Sequence, residues 1–146
     1  MPRLLPNDPY LLYLVRFWSD YKDKKQSERM VHLRSLKLIR EEERSAVMRR
    51  LEEEYNEMIL TMEAGIAELE QRGCLYDGKS LKYMDVTFAP SMAWFGPIEK
   101  LMGFKVIDNE KCPCLYKRVH NLMGNQVVKS TLPDGDKLMA YAKSAW

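Results

Sequence analysis

Hydrophobic residues recur at intervals of three and four along most of the chain, the spacing that places side chains on one face of an α-helix. The first segment carries two adjacent stripes of this kind: Tyr10, Leu14, Phe17 and Tyr21, beside Leu11, Val15 and Trp18. They predict a helix with a broad buried face, with Phe17 and Trp18 in the core. Asn7 or Asp8 can cap this helix, and Pro9 suits its first position because proline has no N–H to lose. The pattern carries the helix into the thirties.

A second helix is predicted over residues 41–72. Its apolar positions follow a heptad-like seam: Val47, Leu51, Tyr55, Met58, Met62, Ile66 and Leu69. Such a seam is typical of a free coiled coil, which would make the chain a helical adaptor. It is equally typical of a helix buried within a domain. We favour the second interpretation because apolar helices are predicted on both sides of it.

The segment from Lys82 to Met102 is apolar nearly all round, which predicts the central helix, with a kink or break at Pro90 and Pro97. A short helix follows near 110–123, capped by Asp108, and a last one runs from Pro133 to Trp146. Strand-like alternation is missing from the sequence. The predicted fold is all-α, a bundle of five or six helices in one domain that covers residues 1–146.

Composition excludes several classes of function. The net charge is +2, and no long basic block or apolar run of about 18 residues occurs, so neither nucleic-acid binding nor a membrane span is expected. The sequence does not begin with an apolar signal core, and three cysteines do not suit a disulfide framework, so we expect a cytoplasmic protein. His32 and His120 lack partners at ligand spacing, so no metal site is expected.

Four features could carry chemistry. Asp85, at the head of the most apolar helix, is expected to be buried and to organise the fold by accepting backbone hydrogen bonds. Trp94 either packs in the core or lines an apolar pocket for a flat ligand. Cys112 and Cys114 follow a possible helix cap, which could activate a thiol, although no cationic partner is specified.

Four blocks of sequence resemble the C-terminal domain of plant tau-class glutathione transferases. They are LLPNDPY with RFWSDYKDKK (4–10 and 16–25), YDGKSLKYMDV (76–86), APSMAWF (89–95), and IDNEKCPCL with VVKSTLPDGDK (107–115 and 127–137). The blocks occur in the family's order and span almost the whole chain. Residues 34–60 match mainly in pattern.

This resemblance implies part of a detoxifying enzyme that conjugates glutathione, its co-substrate, to hydrophobic electrophiles. In the family, a thioredoxin-like N-terminal domain binds glutathione and a serine holds its thiolate. The resemblance implies that this domain is absent here, so no catalytic residue is assigned and whether the chain is an enzyme stays open. We expect little activity from the chain alone, which could instead be a non-catalytic module that binds hydrophobic ligands or proteins. The expected macromolecular partner is a second copy, in a homodimer, or a thioredoxin-like domain.

The resemblance also implies an electrophile pocket. Trp94 matches the family's pocket tryptophan, Tyr141 the aromatic residue that closes the pocket, and Ala145 lies one turn further along. Three further positions depart from the family's residues and make the pocket mouth less aromatic and differently charged: Ser27, Val31 and Arg34.

Other matched positions lie outside that pocket. Asp23 and Lys24 end the first block, close to where glutathione would lie in the family. Asp85 matches a buried structural carboxylate, and Trp18 is expected to have a structural role. Lys82 replaces the family's usual cap for the central helix and is a poor capping residue.

Overall fold

The computed structural model describes residues 4–36 and 38–145, without the side chain of Ala145. These residues form six helices and no strands, which confirms the predicted all-α class. The helices, in chain order, are α1 (Pro9–Ser35), α2 (Glu41–Gln71), α3 (Tyr83–Met102), α4 (Pro113–Met123), α5 (Gln126–Thr131) and α6 (Gly135–Ala145).

Helix α1 begins where the sequence predicts. The Asp8 side chain accepts hydrogen bonds from the backbone N–H groups of Tyr10 and Leu11, at 2.9 and 3.0 Å, and Pro9 occupies the first turn. These contacts satisfy two of the N–H groups that a helix start leaves without partners. The cap therefore fixes the start of the helix that carries most of the candidate site.

The buried face of α1 differs from the predicted one. Phe17 is 45% exposed, so the prediction that it lies in the core is wrong, whereas Trp18 is half-buried and packs against the core. The buried residues instead follow a stripe that becomes polar towards the C-terminus: Leu14, Val15, Ser19, Lys22, Gln26, Arg29 and Leu33. Polar groups on this stripe bond across the helix seam, where Lys22 Nζ donates to the Thr87 carbonyl at 2.5 Å.

Helix α2 packs against α1 and α4 through the predicted seam. Six of the seven seam residues are buried, and Val47 packs against the core at its edge. The seam is therefore covered by helices of the same chain. Gly65 lets α1 approach closely, because a Cβ atom there would lie 2.2 Å from Cε2 of Trp18.

Helix α3 is central, as predicted, and contacts α1, α4 and α6. Pro90 and Pro97 lie inside it without ending it. Each proline leaves one carbonyl in the preceding turn without its usual N–H partner. Helix α3 ends at Gly103, whose φ of 78° lies in the left-handed region. In the described part of the chain, no helix is both long and apolar enough to span a bilayer.

The start of α4 corrects one prediction. Asp108 does not cap this helix; its side chain accepts from the backbone N–H of Glu110 at 2.8 Å, and the helix begins at Pro113. Its free N–H groups are capped from α2 instead, since the two carboxylate oxygens of Glu63 accept from Cys114 and Leu115, each at 2.8 Å. A carboxylate is also favoured at the positive end of the helix dipole.

Candidate functional site

An open cavity of about 400 Å³ lies along the seam between α1 and α3. Ser19 of α1 contacts Met84 and Thr87 of α3, and Lys22, one turn further along α1, contacts Thr87. Contacts therefore advance along both helices together, so the two helices run in the same direction there. The cavity continues this seam towards the C-terminal ends. Its lining residues are Gln26, Ser27, Met30, Val31, Arg34, Pro90, Ser91 and Trp94.

Four of the residues singled out in the sequence meet at this cavity. Ser27, Val31 and Arg34 come from α1, where spacings of four and three residues place them on one face. Trp94 comes from α3 and forms the facing wall. Ser27, Val31 and Arg34 are exposed and Trp94 is half-buried, so the cavity is accessible from solvent.

Tyr141 reaches the site from α6 through Trp94. The two ring centroids lie 6.3 Å apart with an interplanar angle of 60°, a tilted arrangement within the range of favourable aromatic pairs. Tyr141 itself is 52% exposed. That it closes the pocket stays a prediction. The side chain of Ala145 lies outside the described residues, as does Trp146.

Sequence reasoning missed four residues that line the cavity: Gln26, Met30, Pro90 and Ser91. Helical spacing could have found them. Gln26 and Met30 precede Arg34 by eight and four residues, and Ser91 and Pro90 precede Trp94 by three and four. Each therefore lies on the same helix face as a residue already singled out.

Asp23 and Lys24 lie on α1 outside this cavity. Both are exposed and ion-paired with neighbours on the same helix: Asp23 with Lys22 at 2.6 Å, and Lys24 with Asp20 at 2.9 Å. The hydrogen bond and charge of Asp20 raise the pKa of Lys24, so this ammonium stays charged at neutral pH. Their proximity to glutathione stays a prediction.

Asp85 lies at the start of α3 and is 1% exposed. Its Oδ2 accepts from the backbone N–H of Lys82 at 2.8 Å, which is half of a capping box, since the Lys82 ammonium has no acceptor to complete it. Burial raises the pKa of the carboxyl, while the backbone N–H groups of Lys82 and Tyr76 and the charge of Arg118 lower it. Asp85 Oδ1 has no hydrogen-bond partner among the described residues, so the Tyr76 N–H lowers the pKa only weakly.

The cysteines of the C-P-C segment do not form a reactive site. Cys112 is fully buried, and its thiol donates to the Asp108 carbonyl with a sulfur–oxygen distance of 3.1 Å. Burial raises the pKa of both Cys112 and Cys114, and the carboxylate of Glu63 raises both further. The thiols therefore stay protonated at neutral pH, which is the unreactive form.

Among the residues that the structure describes, no three His, Cys, Asp or Glu side chains are grouped so that they could hold an ion. What the arrangement offers is a partly apolar cavity with a large aromatic wall and a few polar groups, the usual make-up of a site for a small organic molecule.

Comparison with curated proteins finds relatives over nearly the whole chain. Glutathione S-transferase U17 of Arabidopsis thaliana is 32% identical over 143 residues, which are 97% of this chain and 60% of the relative. Glutathione S-transferase U7 of the same plant is 29% identical over 97% of this chain and 57% of its own length. The chain is similar, in sequence and in its all-helical fold, to the C-terminal domain of tau-class glutathione transferases. It spans about 60% of the length of these relatives.

Solved structures of glutathione transferases have the same fold as this chain over nearly its whole length. The tau-class glutathione S-transferase of mango superposes with a TM-score of 0.78 at 27% identity, over 99% of this chain and 63% of the mango chain. A rice glutathione transferase solved in complex with glutathione gives a TM-score of 0.70 at 28% identity, over 98% and 61%. No protein-family model matches the chain.

Proposed function

We propose that the cavity between α1 and α3 holds the hydrophobic electrophile in a glutathione-conjugating, detoxifying enzyme of the cytoplasm. The observation that carries the proposal is the meeting of Ser27, Val31, Arg34 and Trp94, from two helices, around one cavity of about 400 Å³. A cavity of this size suits a small organic molecule, and the Trp94 ring offers a flat apolar wall. The likeness to tau-class transferases supports conjugation as the reaction.

The proposed reaction is nucleophilic attack by the sulfur of glutathione. A thiolate forms a carbon–sulfur bond with the electrophile, and a group such as chloride leaves with its bonding electrons. A free thiol with a pKa of about 8.5 is mostly protonated at neutral pH, so the sulfur has to be activated. We assign this activation to the part of the longer relatives that the chain does not cover, and the holding of the electrophile to this domain.

A conjugation assay tests this division of labour. The 146-residue chain and a chimera that joins it to the remaining part of the Arabidopsis U17 relative are compared with glutathione and 1-chloro-2,4-dinitrobenzene. We expect clear turnover above the uncatalysed rate only from the chimera. Robust turnover by the 146-residue chain would show that the thiol is activated within it and would contradict the assignment.

A second function is favoured by a specific surface, the aromatic stripe of α1. Tyr10, Tyr13 and Phe17 follow one another at three- and four-residue spacing and are 51%, 60% and 45% exposed. Exposed apolar patches of this kind mark surfaces that another protein covers. The alternative is therefore a non-catalytic module that binds a hydrophobic ligand or docks a thioredoxin-like domain or a second copy of itself.

Sedimentation of the chain over a concentration series tests the docking alternative. If the aromatic stripe binds a second copy, the average mass should rise with concentration, and the double variant Tyr13→Ser, Phe17→Ser should weaken this association. Leu60→Ser, a change at an exposed leucine of α2 outside the stripe, serves as the control. A chain that stays monomeric and does not bind a hydrophobic dye would exclude self-association through the aromatic stripe.

A further inference from the structure

The polar side chains that line the α1–α3 cavity are all hydrogen-bond donors, and its one charged lining residue is a cation. Arg34 carries that charge, and Gln26, Ser27 and Ser91 supply an amide and two hydroxyls. Among the described residues that line the cavity there is no carboxylate. The remaining wall is apolar and consists of Met30, Val31, Pro90 and Trp94. A ligand that suits these walls is apolar in its body and bears oxygen acceptors.

The polar groups divide between the two ends of the cavity. Gln26 and Arg34 are eight residues apart on α1, a rise of about 12 Å along the helix axis. Because α1 and α3 run in the same direction, Gln26 lies at the level of Ser91, and Arg34 at the level of Trp94 or beyond. The inner end is therefore buried and neutral, and the outer end is exposed and cationic.

Gln26 is an unusual residue at the inner end. Its side chain is buried, with 9% exposure, and its amide nitrogen has no hydrogen-bond partner among the described residues. Buried donors in proteins nearly always have a partner, so an unpaired one needs an explanation. Gln26 lines the cavity, and its last side-chain torsion is soft, so rotation of the amide can present an N–H to a ligand there. A ligand acceptor at the inner end would then supply the missing partner.

Arg34 is the available cation at the outer end. It is exposed and forms no ion pair with any residue in the described part of the chain. The other arginine of this half of α1, Arg29, is already paired with Glu28 at 3.0 Å and Glu54 at 3.3 Å. A planar guanidinium with free donors binds a carboxylate through two parallel hydrogen bonds.

We propose that the cavity selects flat, apolar electrophiles that carry a carboxylate at one end and a neutral carbonyl oxygen at the other. The carboxylate binds Arg34 at the outer end, the carbonyl accepts from the amide of Gln26 at the inner end, and the apolar body lies against Trp94. This rests on the proposed function, since it names the class of electrophile that the same cavity takes.

The experiment uses four probes that differ only at their ends: 4′-acetylbiphenyl-4-carboxylate, 4-acetylbiphenyl, biphenyl-4-carboxylate and biphenyl. Their dissociation constants are measured by equilibrium dialysis with the full chain and with two variants, Arg34→Met and Gln26→Met. In both variants methionine keeps an unbranched side chain and removes the polar group. Arg50→Met, which removes an exposed arginine of α2 away from the cavity, controls for the change in net charge.

We expect Arg34→Met to raise the dissociation constants of the two carboxylate probes about 3- to 10-fold. The dissociation constants of the two neutral probes should change by less than about twofold. Gln26→Met should raise the dissociation constants of the two acetyl probes about 2- to 5-fold and leave those of the other two unchanged. Arg50→Met should change none of the four dissociation constants. Added salt should reduce the advantage of the carboxylates, because Arg34 is exposed.

Two results would overturn the inference in distinguishable ways. If biphenyl binds but its carboxylate binds no more tightly, or if Arg34→Met weakens charged and neutral probes equally, the selectivity is wrong while the pocket stands. If none of the four probes binds the chain, the pocket itself is wrong and the proposed function falls with it. Circular dichroism of each variant verifies folding, and Arg34→Met changes an exposed side chain, so the charge test does not depend on a buried substitution.

Discussion

A single missing methyl group sets how closely α1 and α2 pack. At Gly65, in the interior of α2, an added Cβ would lie 2.2 Å from Cε2 and 2.5 Å from Cδ2 of Trp18. The atoms it would meet belong to a rigid ring that also packs edge-to-face against Phe17 and Tyr21. Neither the ring nor the helix can move without disturbing other contacts, so the absence of a side chain at residue 65 is a packing requirement.

We predict that Gly65→Ala destabilises the protein by about 1–3 kcal/mol, because overpacking outweighs the gain of about 1 kcal/mol in helix propensity. Gly96→Ala is the matched control. It lies in α3 with no atom within 4 Å of the added Cβ, so it should be neutral or stabilising by up to about 1 kcal/mol. Urea denaturation of both variants measures the difference, and equal stability of the two would show that the helices do not depend on this contact.

Asp85 makes stability depend on pH in a direction opposite to that of a paired surface carboxylate. Burial raises its pKa above the usual 3.8, so the folded state binds the proton more tightly than the unfolded state does. Its contribution to stability is therefore complete below about pH 3.8 and is lost as the pH rises through the folded-state pKa. Above that pKa the contribution no longer changes.

We predict that the stability of the natural protein relative to Asp85→Asn falls as the pH rises from 3 towards 7. The amide oxygen of the variant can still accept from Lys82, so the helix cap is retained while the titration is removed. Denaturant unfolding of both proteins at several pH values gives the difference, in which the other carboxylates cancel. A difference that increases with pH would mean that the hydrogen bonds to Asp85, and not its burial, control its pKa.

At the scale of the element, α4 depends on α2 for its start. Glu63 reaches the first turn of α4 and accepts from two backbone N–H groups, Cys114 and Leu115. The first turn of α4 contains no acidic residue, and Cys112, at the cap position, makes no side-chain capping hydrogen bond. The cap therefore couples the position of α4 to that of α2.

We predict that Glu63→Gln costs about 1–2 kcal/mol, because a neutral amide offers one acceptor oxygen where the carboxylate offers two and turns its own N–H groups towards like donors. Hydrogen exchange at the Cys114 and Leu115 amides should become faster. Glu57→Gln, at an exposed position of α2 with no ion pair in the described part of the chain, should change neither property. Unchanged exchange at α4 in Glu63→Gln would show that the helix start is stable without this cap.

The elements that the sequence predicted well are those whose signals are local. Asp8 and Pro9 stand next to the helix they start, and the seam of α2 repeats over many residues. The start of α4 was misplaced because its cap comes from a residue 51 positions away, and α5 was missed because six residues are too few to show a period.

The candidate site was predictable in part. The resemblance supplied Ser27, Val31, Arg34 and Trp94, and spacings of four and three residues place the first three on one face of α1. Gln26 was missed because a glutamine that directly follows Lys24 and Lys25 gives no sign of burial until α3 covers it. The exposure of Phe17 was missed for a related reason: two apolar stripes side by side do not reveal which one the partner helices cover.

At the scale of the whole molecule, buried residues from all six described helices belong to one hydrophobic cluster, which extends from Leu14 in α1 to Val128 in α5 and Ala142 in α6. A shared cluster makes the loss of one helix costly for the others. This sharing supports the prediction that residues 1–146 form a single domain.

We predict one cooperative unfolding transition. Curves followed by far-ultraviolet circular dichroism, which reports helices, and by tryptophan fluorescence, which reports packing, should coincide. Separate midpoints for the two signals would show that part of the chain unfolds independently and would contradict a single domain.

The measurement that tests the central claim most directly is the kinetic effect of Trp94→Ala in the chimera with the U17 relative. We predict that the KM for the electrophile rises about fivefold or more while the KM for glutathione stays within about twofold, because a lost ring contact of about 1 kcal/mol corresponds to about a fivefold change. Tyr116→Ala, at an exposed aromatic residue of α4, is the control and should change neither constant. An unchanged electrophile KM in Trp94→Ala would contradict the claim that the cavity between α1 and α3 holds the electrophile.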